Sequence, residues 1–474
     1  MSGTTAIVWL RRDLRLADNP ALLAASHNAD GVVPLYIHNP TEGQPWSMGS
    51  ASRWWLHHSL KSLDDSLRQQ GSRLIIRQGD ELETLTGLIS QLGVTQVYWN
   101  RSYEPADIAR DARIKSALRD QGIRVETFNS ALLNEPWEIK RATGEPYRVF
   151  TPYWKAVQSA GLDRPPYPAP TRLPAPSRWP ESTKLDTLGL LPKIPWDLGF
   201  YRDWQPGEQA AGANLECFIT DGLRGYKQQR DIPGQAGTSR LSPHLRFGEI
   251  SPKQVVHGIL SRELPGGDTA SDCYIREIAW REFAHHLLFH FPETANRPLD
   301  ARFDRLAWRL PEDYAADLRA WQRGMTGYPI VDAGMRELWA TGWMHNRVRM
   351  IVASLLTKNL LIPWQEGARW FWDTLVDADL ACNTLGWQWT AGCGADAAPF
   401  FRIFNPVLQG EKFDPKGEYV RRWIPELAGV PAPLVHKPWE AALYGAYPRP
   451  IVDLKLSRQR ALDRFADIKA ESGA

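Results

Sequence analysis

Two short pieces of sequence between residues 340 and 406 carry side chains that could form a ligand-binding pocket. In WMHNRVRM, Asn346, Arg349 and Met350 are spaced by three and four residues, so they share one face of a predicted helix. Carboxylates, an amide and two tryptophans follow in DADLACN and GWQW: Asp377, Asp379, Asn383, Trp387 and Trp389. Each residue alone is compatible with a cap, an ion pair or a core position. Together they favour a pocket where polar groups and an aromatic wall surround a flat ligand.

Two further segments could complete such a pocket. The loop GTSRLSPHLRFGEIS (237–251) offers hydroxyl groups and free backbone N–H groups to a phosphate, although ordinary loops often have this composition. In IREIAWREFAHHLLFH (275–290), four residues fall on one helical face: Glu277, Trp280, Arg281 and Ala284. Burying such a polar stripe without partners is costly, so it either faces water or lines a site. The apolar neighbours favour a site.

The composition limits the classes of function. The chain has 474 residues and a formal net charge of +2, so an anionic partner must meet a local basic patch. Four cysteines without a CxxC pair, and a start without a signal peptide, are typical of a reduced cytoplasmic protein. No apolar run is long enough to span a membrane. We expect a monomer without a membrane or an obligate protein partner. The 22 tryptophans exceed ordinary usage and suit stacking on planar ligands.

Residues 1–130 alternate strand-like and helix-like patterns. The β-rich runs are AIVWL, VVPLYI, SRLIIRQG, QVYWN and RVETFN, with helical patterns between them. This order predicts an α/β domain with a doubly wound, Rossmann-like parallel sheet. No GxGxxG follows the first strand, so the usual dinucleotide fingerprint is missing. Polar residues at the strand ends, such as Asn39, Asn100 and Glu104, either bind a ligand or cap helices.

The rest of the chain divides into a connection and a second domain. Residues 131–206 are rich in proline, which predicts a long surface connection. Residues 207–474 show mainly helical periodicity, which predicts a mostly α-helical domain that carries the candidate pocket.

The motifs in this domain, taken in order, resemble those of the photolyase/cryptochrome flavoproteins. They are TSRLSPHLRFGEIS, EIAWREF, TGYPIVDAGMR, TGWMHNRVRM, DADLACN, GWQW and FRIFNP, with RRDLRLADNP near the start. The likeness covers nearly the whole chain. Within the family it is strongest to bacterial cyclobutane pyrimidine dimer DNA photolyases of the branch close to plant cryptochromes.

The resemblance implies that FAD lies folded inside the helical domain. The diphosphate would be held by Tyr226, Thr238, Ser239, Arg240, Leu241 and Ser242. Around the flavin, Arg349 would pair with Asp377, Asp379 would accept hydrogen bonds, Asn383 would face N5, and Trp343 would pack against the cofactor. No metal is implied.

The resemblance also implies light-driven repair of UV-damaged DNA. Excited reduced FAD would give an electron to a flipped-out pyrimidine dimer and recover it after the ring splits. The dimer would contact five residues: Glu277, Asn346, Trp280, Trp389 and Met350. DNA would be contacted by Arg230, Arg281, Arg347 and Arg402.

Three tryptophans match the family's chain that carries electrons from the surface to oxidised flavin: Trp387, Trp364 and Trp308. The resemblance further implies an antenna pigment in the first domain, 5,10-methenyltetrahydrofolate or, as the alternative, 8-hydroxy-5-deazaflavin. Two other functions stay open, a cryptochrome-type photoreceptor without repair and a (6-4) photolyase. In (6-4) photolyases, histidines typically occupy the positions of Asn346 and Met350.

Overall fold

A computed structural model describes residues 3–41, 43–262, 269–397, 399–400, 402–440 and 447–470. Its first region is a five-stranded parallel sheet with the spatial order β3-β2-β1-β4-β5. The strands are β1 (Thr5–Leu10), β2 (Gly31–His38), β3 (Ile75–Gln78), β4 (Gln96–Asn100) and β5 (Arg124–Phe128). Strand order reverses on either side of β1, which makes this a doubly wound sheet. The predicted α/β class of this region is confirmed.

Helices cover both faces of the sheet because each crossover between parallel strands needs one. They are α1 (Pro20–Asn28), α2 (Ser50–Gln69), α3 (Glu81–Leu92) and α4 (Pro105–Asp120). Their starts follow local chemistry: the Asn19 side chain caps α1, the Asp80 side chain caps α3, and proline occupies the first turn of α1 and α4. The sequence patterns did not predict the short helix α1, which begins with Pro20.

The connection between the two regions is more ordered than its proline content predicts. It contains α5 (Phe150–Ser159) and, near its end, α6 (Leu198–Asp203). Helix α5 buries Phe150, Tyr153, Trp154 and Val157 in one core cluster with the helical region. The connection is therefore part of the packed structure along α5, and its proline-rich stretch also contributes a core residue, Leu173.

The helical region carries the predicted pocket motifs on short and medium helices. They are α7 (Glu208–Cys217), α8 (Tyr226–Gln229), α9 (Ser242–Phe247), α10 (Pro252–Leu260), α11 (Thr269–His290), α12 (Pro311–Gln322), α13 (Pro329–Thr341), α14 (Asn346–Ser354), α15 (Trp364–Thr374), α16 (Leu380–Ala391), α17 (Pro406–Phe413), α18 (Glu418–Trp423) and α19 (Leu454–Ala470). Helices α11, α14, α15 and α16 pack together and position the candidate site. The predicted helical class is confirmed.

Buried polar contacts join the two regions. The Trp55 indole on α2 donates to Glu249 at 3.0 Å, and Arg15 donates to the Gly248 carbonyl at 2.9 Å. Ser251, which caps α10, donates to Asp18 at 2.6 Å. Such buried bonds leave unsatisfied groups when broken, so they fix the α/β region against the helical region. Among the described helices, none combines the length and apolar composition required to cross a membrane.

Candidate functional site

A buried carboxylate, Asp377, forms the centre of the site. It accepts hydrogen bonds from Arg349 Nη2 at 2.8 Å and from Ser242 Oγ at 2.7 Å. The Arg349 Nε also donates to the Met344 carbonyl at 2.7 Å, which fixes the guanidinium. The pairing of Arg349 with Asp377 that the sequence led us to expect is present. We call Ser242, Arg349 and Asp377 the inner cluster.

The predicted phosphate loop runs directly into this cluster. Ser242 is the first residue of α9, so the loop 238–241 ends where the helix N–H groups are free. Ser239 Oγ accepts from Tyr274 Oη at 2.7 Å and from Leu241 N at 3.3 Å, while Leu241 itself is buried. Thr238 is partly exposed beside them. The loop therefore has a defined shape with hydroxyl and N–H groups near one helix start.

Arg240 has a backbone conformation that most residues avoid. Its φ of 54° lies in the left-handed region, and its guanidinium stacks over Trp204 at 4.1 Å and lies 5.2 Å from the Trp343 ring centroid. Burial lowers the pKa of Arg240, and the charges of Asp203 and Glu337 oppose that shift. Trp343 therefore has two cations nearby, Arg240 and Arg349. Its indole is partly exposed beside the inner cluster.

Asp379 begins α16 and belongs to a second buried charged group. Its side chain accepts from Cys382 N at 2.9 Å, and its other oxygen lies 3.3 Å from Nε2 of His285. Burial raises the pKa of Asp379, but the charges of His285, Arg246 and Arg281 outweigh burial and hold the pKa well below its ordinary range. The carboxylate is therefore ionised and can accept a further hydrogen bond.

His285 is the least satisfied member of this group. Only 7% of its side chain is exposed, and neither ring nitrogen makes a well-aligned hydrogen bond. Ligand atoms of His285, Asp379 and Cys382 lie within 4.8 Å of one another, close enough to hold a metal ion. The expectation that the site uses no metal stays a prediction. Buried polar atoms without partners are what a polar ligand would satisfy.

Asn383 lies one turn into α16 and is held in one orientation. Its amide nitrogen donates to the Ala368 carbonyl of α15 at 3.0 Å. The amide oxygen takes no part in this bond and remains available as an acceptor. Asn383 is partly exposed, so a ligand can reach it.

A second set of ion pairs lies nearer to the surface. Arg230 Nη1 is 2.6 Å from Glu277 Oε1, and Arg347 Nη2 is 2.9 Å from Asp231 Oδ1. Since Arg230 and Asp231 are adjacent, these two pairs join the end of α8 to α11 and to α14. We call Arg230, Asp231, Glu277 and Arg347 the rim. Of the DNA contacts predicted from the sequence, the rim contains Arg230 and Arg347.

The remaining residues predicted to contact the lesion lie on the same helices. Asn346 is exposed on the first turn of α14, and Met350 is partly exposed one turn later, 3.7 Å from an Arg347 nitrogen. Trp280 and Trp389 are partly exposed on α11 and α16, which pack against each other. These side chains lie on helices that meet around the candidate site.

Two predicted DNA contacts differ from the others in position. Arg281 donates to the Ala131 carbonyl at 2.8 Å, and only 14% of its side chain is exposed. It lines a cavity with Asp379 and His285 and does not belong to the rim. Arg402 is exposed, and its carbonyl accepts from the buried Lys358 at 3.0 Å. Arg402 is available to an external anion, whereas Arg281 faces inward.

The three predicted relay tryptophans run from the interior towards the surface. Trp387 is 3% exposed and Trp364 is 2% exposed, while Trp308 is partly exposed. Trp387 packs so closely on Gly367 that a Cβ there would lie 2.0 Å from the indole. Gly367 is one turn after Trp364 on α15, and the rings that pack on Trp387 are those of Phe371 at 5.0 Å and Trp321 at 6.1 Å. Arg309, next to Trp308, bonds to the Leu361 carbonyl just before α15.

Sequence reasoning missed three residues that complete the site. Glu337 on α13 accepts from Tyr419 Oη at 2.6 Å and from His345 N at 3.3 Å, beneath the turn that carries Trp343. Phe150 stacks on Trp280, and His285 faces Asp379. For Glu337 and His285 the sequence did carry a signal, because a carboxylate or an imidazole inside an apolar helix needs a polar partner. For Phe150 no signal exists, because its partner is 130 residues away.

Comparisons with known proteins agree with this arrangement. A family model for DNA photolyase matches residues 6–175, and one for the FAD binding domain of DNA photolyase matches residues 274–467. The chain is 50% identical to a deoxyribodipyrimidine photo-lyase of Agrobacterium fabrum, with 99% of each chain covered. It is 39% identical to cryptochrome-2 of Arabidopsis thaliana, over 99% of this chain and 80% of that protein.

A solved structure is similar over the whole length. The crystal structure of a bacterial class III photolyase from Agrobacterium tumefaciens matches with a TM-score of 0.95 and 48% identity, covering 99% of this chain and 98% of that one. The chain therefore belongs to the photolyase/cryptochrome family. The family predicted from the motifs is confirmed, and the helical region carries the family's FAD-binding domain.

Proposed function

We propose that the chain is a deoxyribodipyrimidine photo-lyase that repairs cyclobutane pyrimidine dimers in DNA under light. One observation carries this proposal: the first turn of α14 joins the inner cluster to the rim. Arg349 reaches inward to a buried carboxylate, while Asn346, three residues earlier, is exposed beside Arg347. A single helix turn would thus present one side chain to a buried cofactor and another to an external substrate.

The inner cluster and the polar side chains around it fit a flavin. Asp377 and Asp379 are buried acceptors, Asn383 offers an oriented amide oxygen, and the His285 nitrogens need partners. The loop 238–242 and Tyr226 would hold the diphosphate, with Trp343 against the ring system. When bound and reduced, FAD supplies the light-driven transfer of one electron, which splits the cyclobutane carbon–carbon bonds without net oxidation.

The rim residues would bind and orient the flipped dimer. In the free protein, Glu277 is paired with Arg230. A DNA phosphate that takes over Arg230 would release the Glu277 carboxyl to hydrogen-bond the pyrimidine edge, with Asn346 on the same edge. Trp280 and Trp389 would form the aromatic walls, and Met350 would pack beside the dimer. Flipping costs least for a damaged base, which favours lesions over normal duplex.

DNA binding would depend on a few arginines. Arg230, Arg347 and Arg402 would contact phosphate, since each is at least partly exposed. With so few cations, binding of undamaged DNA would be weak and sensitive to salt. Arg281 is better placed to hold the buried Asp379 and the cofactor side of the site than to contact phosphate.

The position of His345 favours dimers of the cyclobutane type over (6-4) photoproducts. His345 is 2% exposed, and its Nδ1 accepts from Arg347 N at 3.2 Å as the cap of α14. Burial lowers its pKa to about 4, so it stays neutral. It therefore points no acid towards a substrate, and the substrate-facing positions hold Asn346 and Met350. A cryptochrome without repair is the second candidate, because plant cryptochromes are similar over nearly the whole chain.

As antenna pigment we infer 5,10-methenyltetrahydrofolate, with 8-hydroxy-5-deazaflavin as the alternative. The likeness to plant cryptochromes supports folate. At the carboxyl edge of the sheet, ion pairs join Arg11 to Asp111 at 2.7 Å and Arg12 to Glu104 at 2.7 Å. A pigment bound at that edge would have to displace such pairs. The absorption spectrum of pigment released from the purified protein distinguishes the two.

The test uses duplexes with a single thymine dimer or a single (6-4) photoproduct, in blue light and in the dark. We expect repair of the dimer only, and only in light. The Asn346→Leu variant should keep its flavin and repair less per photon, because the pyrimidine edge loses its amide partner. Repair of the (6-4) duplex, or no repair of either duplex by flavin-loaded protein, contradicts the proposal. The second result would favour the photoreceptor.

A further inference from the structure

One face of the Trp280 indole is covered by an aromatic ring from the connection. The Phe150 and Trp280 ring centroids are 3.7 Å apart, and the two planes differ by 7°. Phe283 meets the same indole edge-on, at 5.8 Å and 72°. Phe150 is 1% exposed, whereas Trp280 keeps part of its surface open. Trp280 therefore has a fixed inner face and a free outer surface.

Phe150 is itself held from several sides. It begins α5, and its ring also contacts Phe283 at 5.8 Å, while Tyr153 of the next turn contacts Phe283 at 5.1 Å. The Phe150 N–H donates to Asp396 at 3.4 Å, in the loop that follows α16. Phe150 thus links α11, which carries Trp280, to the end of the helix that carries Trp389.

Trp389 has no comparable support. Trp389, like Trp280, is partly exposed. Within the part of the chain that the structure describes, no aromatic ring packs against the Trp389 indole. The two walls proposed for the lesion therefore differ. The Trp280 indole is already stacked on Phe150 in the protein without DNA, whereas the Trp389 indole has no such ring contact.

We propose that Phe150 is a positioning residue for lesion recognition: its stack fixes the plane of Trp280, so that this wall is formed before DNA arrives. The proposal rests on the proposed function. Stacked aromatic pairs gain stability beyond the area that they bury. An indole that is already ordered loses less conformational entropy when a base stacks on it, which improves binding without adding a contact. The connection then takes part in recognition through α5.

The test compares Phe150→Leu and Phe150→Met with Phe200→Leu as the matched control. Phe200 is equally buried and contacts Trp54 in a different core cluster. We expect both Phe150 variants to lose about tenfold in affinity for a thymine-dimer duplex, the size of one base–aromatic stacking contact. Affinity for undamaged duplex should change by less than about twofold, since phosphate contacts dominate it. The Phe200 variant should retain the native preference for damage.

A double variant shows whether Phe150 acts through Trp280. In the Trp280→Ala background, Phe150→Leu should cause no further loss, because the residue that it positions is gone. Independent losses that multiply would overturn the proposal, and so would equal losses for damaged and undamaged DNA.

A measurement without DNA separates this proposal from the proposed function. In protein labelled with 5-fluorotryptophan, the Trp280 resonance can be assigned from Trp280→Phe. Removing a phenyl ring stacked at this distance should shift that resonance in Phe150→Met, and an unchanged resonance would contradict the stack. If the native chain shows no preference for dimers while the resonance still shifts, the proposed function fails and the packing of Trp280 is still established.

Discussion

Two arginines on one helix, Arg347 and Arg349, form ion pairs of almost the same length in very different surroundings. Arg349 is 2.8 Å from Asp377, whose side chain is 3% exposed. Arg347 is 2.9 Å from Asp231, whose side chain is 38% exposed. Asp377 also accepts from Ser242, so the inner carboxylate has partners on two elements. The two arginines are similarly exposed, 24% for Arg349 and 20% for Arg347, so the pairs differ in the burial of the carboxylate.

The difference in burial gives the two pairs different uses. A buried charge that loses its partner is strongly destabilising, so the inner pair is a permanent part of the site. An exposed pair contributes little to stability, so its arginine can exchange a carboxylate for a phosphate at small cost. Length of an ion pair therefore says little about its role, and we expect burial of the carboxylate to distinguish a pair that supports a cofactor from one that contacts DNA phosphate.

Asp377→Asn should have the largest effect because it breaks the inner pair. Leaving Arg349 without its charged partner should lower the free energy of unfolding by about 3 kcal/mol. We also expect weaker flavin binding, because the proposed flavin site loses its charged pair. The measurement is flavin absorbance per protein after gel filtration. Asp304→Asn is the matched control, since Asp304 pairs with Arg297 at 2.7 Å on the surface. Equal flavin loss in both variants would show that burial does not distinguish these pairs.

Trp308→Phe tests the route from the interior to the surface. Phenylalanine is much harder to oxidise than tryptophan, so photoreduction of oxidised flavin by an external thiol should stop or slow greatly. The swap keeps an aromatic ring and should cost little in stability. After chemical reduction with dithionite, the variant should repair dimers nearly as well as the native protein. Undiminished photoreduction would assign the exit to another tryptophan, and loss of both activities would show that they are not separable.

Arg347→Gln should have a moderate effect confined to the rim. Losing one phosphate contact should reduce the slope of log affinity against log salt by about 0.9, while flavin content stays native. Fluorescence anisotropy of labelled duplex over a salt series measures this slope. Arg68→Gln serves as control, because Arg68 lies on α2 and pairs with Asp64. A slope that does not change would place the DNA-binding surface elsewhere.

Glu337→Gln should have the smallest effect, visible only as a change with pH. Burial raises the pKa of Glu337 to about 7, against the opposing contacts of Tyr419, His345, Arg240 and Arg349. Because the folded pKa lies above the unfolded value, the stability from this carboxyl is complete at low pH and is lost as pH rises through about 7. Glutamine stays neutral, so the variant should gain in Tm relative to native between about pH 5 and about pH 8.

Subtracting the native curve from the variant curve isolates Glu337, since Glu282 shifts in the same direction and is present in both proteins. A difference in Tm that is constant across this range would mean that Glu337 titrates normally.

The fold could be predicted where the pattern is local. The five β-rich runs all became strands within a few residues. The central strands β1, β2 and β4 are buried and largely apolar, as inner parallel strands require. The apolar pattern of α14 continues beyond Ser354, where the α-helix ends. Residues 355–359 extend it as a π-helix, which has wider turns. The periodicity of the sequence does not predict helix α16. Its mixed polar and aromatic sequence, which serves the site, hides the periodicity.

The site could be predicted residue by residue only through motifs. The ordered motifs predicted that Arg349, Asp377 and the loop 238–242 lie in one site. In the structure, Arg349 and Ser242 both donate to Asp377. Contacts across long sequence separations left no local signal. The family resemblance implies a DNA contact for Arg281, yet its side chain donates to the carbonyl of Ala131 inside the molecule. Tertiary packing decides such orientations.

The most direct test of the account is the action spectrum of repair. Protein reduced in advance is mixed with a single-dimer duplex, and the repaired fraction per absorbed photon is measured against wavelength. We predict that repair follows the absorption of reduced flavin, is absent in the dark, and is lost with the flavin in Asp377→Asn. Repair in the dark, or equal repair by flavin-depleted protein, would contradict the claim that the inner cluster holds the cofactor that acts on the dimer.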